Sequence, residues 1–242
     1  MATKPPSSNS ASRADRPPLG AGLLTAAPAN AVAGSSTKEG SYAFTAKFGI
    51  GGLRSCSAAL VEKQWLVTAA SCFADNPAQG FRIRAGAPKS RTTAIIGRTD
   101  PSQESGSVVD VAELVPREDR DPVMARLAKP VTGIAPVDVG RKAPETGENL
   151  WVSGYGRTAE EWVPDLLHHA KFAVDSVKDT SVGLSGTSDD PGVCKGDTGG
   201  PAFRGADGRF ELAAVNSTSW QGDCLGNRQE TRMEQRRTDQ CR

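Results

Sequence analysis

The residues able to do bond chemistry are few in this chain of 242 residues, and several meet in one glycine-rich stretch, CKGDTGGP at Cys194–Pro201. Thr198 places a hydroxyl there, between Asp197 and the pair Gly199–Gly200. Glycines on both sides let a backbone turn where a side chain would clash, or let another group come close. A hydroxyl on such a turn is a candidate nucleophile, yet its pKa lies far above neutrality. It attacks usefully only if a base accepts its proton in the transition state. The chain has two histidines, His168 and His169, and they are adjacent. Adjacent strand positions point to opposite faces, so a metal site of ordinary spacing is not expected, and neither is a cofactor. Five cysteines, Cys56, Cys72, Cys194, Cys224 and Cys241, form no C-x-x-C pair. Two disulfides and one spare thiol are the simpler account, and they suit an oxidising compartment.

The elements that must position these residues read as short strands. From Tyr42 onward YAFTAKFGI, SCSAALV, QWLVTAA, FRIRAGA, TTAIIGR and VVDVAELV are β-branched or alternating runs separated by Gly, Pro, Asn and Asp. After LAKPVTGIAPVDVGRKAPETGE the pattern resumes in NLWVSGYG, LLHHAKFAV, SVGLSG, PAFRG and FELAAVNS. This predicts an all-β protein of two subdomains hinged near Lys129 to Thr146, with no sequence repeat between them. The end of the chain, LGNRQETRMEQRRTDQCR, is nearly devoid of apolar residues and reads as a solvated or disordered tail. Its interspersed acids argue against a nucleic-acid patch.

A formal net charge of +1 gives no global field for nucleic acid or an anionic membrane, and no apolar run approaches spanning length. The first residues run from a basic, Pro/Ser-rich segment through LGAGLLTAA to the small-x-small step Ala29–Asn30–Ala31. That order predicts a secretory leader over residues 1–31; the alternative is a disordered leader.

Five motifs in order resemble the trypsin/chymotrypsin serine protease family, over about Val32 to Cys224. They are CSAALVEKQWLVTAASCF, DPVMARLAKPV, WVSGYGRT, VCKGDTGGP and SWQGDC. The resemblance implies two six-stranded Greek-key β-barrels, the first over about 32–130 and the second over about 145–224, followed by a polar tail at 225–242. It implies disulfides Cys56–Cys72 and Cys194–Cys224. It also places the triad aspartate at Asp121, and an oxyanion hole at the N–H groups of Gly196 and Thr198. The family's nucleophilic serine position holds Thr198, and its histidine position holds Ser71. Such a relay needs the histidine: removing the base alone costs on the order of 10⁶ in turnover. An oxyanion hole and substrate positioning leave about 10³–10⁴ over water. Threonine adds a β-methyl that restricts χ1 and crowds the approach.

Several other positions depart from the family. Gly192 stands at the pocket floor, where trypsin-like members keep an aspartate. Gln221 stands at a wall position that is usually glycine, so specificity for basic side chains is not expected. An extended peptide could still pair along Ser219–Trp220–Gln221. The family's mature terminus resembles the start of VAGSSTKEG, so cleavage after Ala31 would free a Val32 ammonium to pair with Asp197. The family closes its second barrel with a further strand after the Cys224 position. Here only the arginine-rich tail follows, so the second barrel is expected to be incomplete unless another chain supplies the strand. A shifted reading frame near the end of the gene would leave the same tail.

Together these features predict a secreted protease homologue that holds a peptide or protein ligand without cutting it. The alternative is a weak hydrolase or acyl-transfer enzyme using Thr198 with another base. Lys195 is near in sequence, but the family places its position at the cleft rim, with nothing to desolvate it. A third reading is a remnant whose tail prevents stable folding. Asn216 heads an Asn-Ser-Thr glycosylation pattern, against which its strand context argues.

Overall fold

The structure is a computed structural model and describes residues 1–2, 35–76, 80–157, 166–187, 193–206, 208–218 and 236–239. Among the described residues the regular elements are fourteen β-strands and one short 3-10 turn. The first barrel is a closed ring of β2 (Thr45–Ile50), β3 (Arg54–Glu62), β4 (Trp65–Ala69), β7 (Pro122–Leu127), β6 (Ser107–Pro116) and β5 (Thr92–Ile96), in that spatial order. Its strands follow from alternation. Ala46, Phe48 and Ile50 on β2 and Thr92, Ala94 and Ile96 on β5 are buried, with Lys47 and Thr93 between them less so. These inward residues fill the barrel together with Leu60, Leu66, Leu114 and Leu127.

The second sheet contains β1 (Ser35–Ser36), β9 (Asn149–Gly154), β10 (His168–Val177), β11 (Ser181–Gly186), β12 (Pro201–Ala206), β13 (Arg209–Thr218) and β14 (Arg236–Asp239). β8 (Asp138–Val139) joins β13 as a parallel pair. Because β9 also pairs with β10, six strands run in a ring in the order β9, β10, β11, β14, β13, β12. Leu150, Val152, Phe172, Val174, Leu184 and Ala214 form its core.

β14 corrects the expectation of a second barrel left incomplete by the chain. Four residues of the polar tail lie between β11 and β13, pairing Val182 with Thr238 on one side and Asn216 with Thr238 on the other. Closure there is made by backbone groups, which need no apolar face. A second expectation also changes. The run FRIRAGA forms no strand and touches β6 through a single bridge, Gly86 to Leu114.

The barrels meet through rings. Tyr42 and Phe44 from the first half lie 4.9 and 5.2 Å, centroid to centroid, from Phe203 on β12. Phe203 in turn lies edge-on to Phe210, 5.4 Å away. Such pairs add specificity to the burial of four large side chains at one seam.

Candidate functional site

Each candidate residue sits at the end of an element. β4 runs into the 3-10 turn Ala70–Cys72, which carries Ser71, and the Cys56–Cys72 disulfide pins that turn back onto β3. Asp121 immediately precedes β7, whose first residue pairs with Ala69 at the end of β4. Ser71 and Asp121 are therefore brought together by register.

Asp121 is 2% exposed. Its Oδ1 accepts from the Ser71 N–H at 2.8 Å. Its Oδ2 accepts from the Ser71 hydroxyl at 2.9 Å and from the Ser217 hydroxyl at 2.5 Å. Burial pushes the carboxyl above its usual range, while the Ser217 and Ser71 donors pull it partly back. Ser71 thus fills the donor role of an imidazole toward Asp121 with a much shorter side chain. Its own proton is committed to that carboxylate.

The Thr198 turn is stitched to the first barrel. The Ser57 N–H donates to the Thr198 carbonyl at 2.8 Å, and the Ser57 hydroxyl donates to the Gly196 carbonyl at 2.9 Å. The Tyr155 N–H donates to the same Ser57 hydroxyl at 3.0 Å. Gly199, at φ +85°, lies so close that a Cβ there would stand 2.0 Å from Thr68 Oγ1 and 2.3 Å from the Ser57 carbonyl. Only glycine fits this crossing. On the other side the Gly199 N–H donates to the Asn216 carbonyl at 2.7 Å, which ties the turn to the strand carrying Ser217. Ser71, Asp121, Ser217 and the Thr198 turn therefore form one connected locus between the barrels. Thr198 is half-buried, and its hydroxyl has no hydrogen-bond partner among the described residues.

Asp197 is 1% exposed and accepts from the Gly156 N–H at 2.7 Å and the Cys194 N–H at 2.8 Å. Burial raises its carboxyl to about 6, against the pull of those two N–H donors. Both histidines lie on β10. The buried His168 pairs in register with Gly154, and burial together with its neighbour His169 holds its pKa down. His169 Nδ1 bonds the Thr37 hydroxyl at 3.1 Å, and its ring lies beside Tyr42 and Trp151. Neither imidazole hydrogen-bonds Asp121 or Thr198.

Among the described residues no three of His, Cys, Asp and Glu converge as a metal site. Cys194 is disulfide-bonded. Its expected partner Cys224 lies outside the described residues, as do Val32, Gly192, Ser219, Trp220 and Gln221. Asn216 is 2% exposed, with its amide turned toward the Asp197 carbonyl, which leaves no room for a glycan. Ser57 and Ser217 were not singled out by sequence reasoning. Each is a lone hydroxyl in a strand, and only the fold puts it against a carbonyl or a carboxylate.

Comparison with known proteins gives the same architecture. The family model described as Trypsin matches residues 31–232. Serine protease 56 of Mus musculus is 25% identical over 232 residues, covering 85% of this chain and 36% of that protein. Transmembrane protease serine 7 of Rattus norvegicus is 25% identical over 80% of this chain and 25% of its own length. The snake venom serine protease homolog of Bothrops jararacussu is 27% identical over 64% of each chain. The chain thus spans about a quarter to two thirds of the length of these relatives. The solved structure of neuropsin, a serine protease of mouse brain, superposes with a TM-score of 0.66 at 20% identity, over 86% of this chain and 92% of its own.

Proposed function

This chain belongs to the trypsin family, and from that premise we propose that it is a secreted member that binds a peptide or protein segment without hydrolysing it. One observation carries the reading. The carboxylate that would orient a base is capped by Ser71 and Ser217; both imidazoles of the chain lie on β10, His169 bonded to Thr37, and neither hydrogen-bonds Asp121 or Thr198. Among the described residues the Thr198 hydroxyl has no partner to take its proton, so the acyl-transfer step lacks its general base. What remains is a shaped turn and the positions beside it for an extended ligand. Asp197, buried beside the turn, is the position that a new Val32 ammonium would neutralise after cleavage behind Ala31. No helix among the described residues is long and apolar enough to cross a membrane.

The test is labelling with a fluorophosphonate, which reacts with activated serine-type hydroxyls. The native chain is expected to stay unlabelled, while the double variant Ser71→His, Thr198→Ser labels. Labelling of the native chain at Thr198 would mean that a base exists, and the weak-hydrolase reading would replace this one. A folded double variant that also fails to label would show that the scaffold, and not only its chemistry, has diverged.

A further inference from the structure

The net charge of +1 hides a local imbalance. From Asn76 to Thr99 the chain carries five cations, Arg82, Arg84, Lys89, Arg91 and Arg98, and no acid, so the rest of the chain is net negative by four charges. This segment runs along the outside of the first barrel. Phe81 and Ile83 pack inward on the core, and the alternate side chains, Arg82 and Arg84, stand in solvent. Neither arginine makes an ion pair or a hydrogen bond among the described residues. Beyond the Gly86–Leu114 bridge the chain reaches the tip of the β2–β3 hairpin, where the Gly51 N–H donates to the Arg91 carbonyl at 2.9 Å.

More cations gather at that tip. Lys89 pairs with Asp75 at 2.7 Å and Arg91 with Asp110 at 3.2 Å. Arg54, the first residue of β3, donates to the Ala74 carbonyl at 2.7 Å. Lys89, with a smaller share from Arg54, holds the Asp75 carboxyl below its usual range. Both ion pairs lie in water, where such pairs contribute little, so an incoming anion can exchange for either carboxylate. Arg98 takes no part, since its guanidinium is held by the Pro101 and Ser105 carbonyls. Guanidinium groups offer paired N–H donors that suit the oxygens of a tetrahedral oxyanion. A single-stranded nucleic acid would want exposed aromatic faces to stack on, and the aromatic residue of this segment, Phe81, is packed on the core.

We propose that this basic ridge on the first barrel docks a sulfated polysaccharide, with Arg82 and Arg84 as its free contacts and Arg54, Lys89 and Arg91 extending them. The ridge needs nothing of the Thr198 turn; only the choice of a polysaccharide leans on the secreted reading. The test is chromatography of the full chain on immobilised heparin. The chain is expected to bind at about 0.15 M salt and to elute as higher salt displaces it. Arg82→Ser together with Arg84→Ser should weaken binding about tenfold, the combined loss of two exposed charge contacts. Arg141→Ser together with Lys142→Ser removes the same charge from the exposed linker between the barrels and should leave binding unchanged. Passage through the column at about 0.15 M salt overturns the proposal. Equal loss in both double variants also overturns it, by tracing retention to net charge. Unchanged retention in the Arg82→Ser, Arg84→Ser variant overturns it by moving the contact to another stretch. Equal capture by hyaluronan, which bears carboxylates and no sulfate, overturns the sulfate requirement. Tighter capture by single-stranded DNA gives the ridge to nucleic acid instead. None of these outcomes bears on fluorophosphonate labelling, so this proposal and the reading of the Thr198 turn fail separately.

Discussion

Asp121 and Asp197 show what a buried carboxylate needs when no cation stands beside it. Asp121 is covered by two hydroxyls and one N–H; removing the Ser217 hydroxyl leaves a buried oxygen underpaired, so Ser217→Ala should cost about 1–3 kcal/mol. Chemical denaturation would measure it. Thr198→Ala, by contrast, removes a hydroxyl that nothing in the described structure uses and should change stability by less than about 0.5 kcal/mol. Asp197 links stability to pH. Its carboxyl, raised to about 6 from an ordinary 3.8, binds its proton more tightly folded than unfolded. That contribution is fully present below pH 3.8 and is lost as pH rises through 6, on the order of 3 kcal/mol if no cation arrives. The melting temperature should therefore fall between pH 4 and 6.5, and Asp197→Asn should flatten the slope. His168 acts in the opposite direction: burial keeps it neutral, so its share of stability is lost as pH falls through its lowered pKa.

At the scale of elements, two features hold the locus in place. The Cys56–Cys72 bridge closes a separation of 16 residues and anchors the turn bearing Ser71; replacing both cysteines with serine should cost about 3 kcal/mol by loop closure. Gly199 is the second, because Thr68 and Ser57 occupy the space a side chain would need. Gly199→Ala is expected to leave no soluble folded protein, while Gly208→Ala, at φ +79° with open space around it, should cost only about 1 kcal/mol of backbone strain. A comparison of soluble yields and melts checks both. The strands were legible in the sequence where apolar residues alternate, as on β2 and β5; β7, which entered only within a family motif, was not read as one. β14 was not, because Arg-Arg-Thr-Asp carries no alternation and its place is set by the backbone edges of β11 and β13. FRIRAGA failed in the other direction. Its alternation buries Phe81 and Ile83 more than Arg82 and Arg84, yet its backbone finds only one bridge. The Ser71–Asp121 pairing follows from motif order. The Ser57 grip on the Thr198 turn does not, since it joins residues 139 positions apart.

Over the whole molecule, ring closure and barrel docking are the two long-range conditions. Removing Arg236–Arg242 would expose the edges of β11 and β13 together, and open edges pair with other chains. The truncated protein should elute as dimers and larger species in size-exclusion chromatography with light scattering, where the full chain elutes smaller. Docking of the halves depends on the aromatic seam and on Ser57, whose hydroxyl reaches Gly196 and Tyr155 across separations of 139 and 98 residues. Contacts so far apart in the chain must wait for each half to collapse, since early closure of a loop that long is entropically unfavourable. The locus of Ser71, Asp121, Ser217 and the Thr198 turn is therefore expected to form only once both halves have met, so its completion doubles as a receipt that assembly is finished.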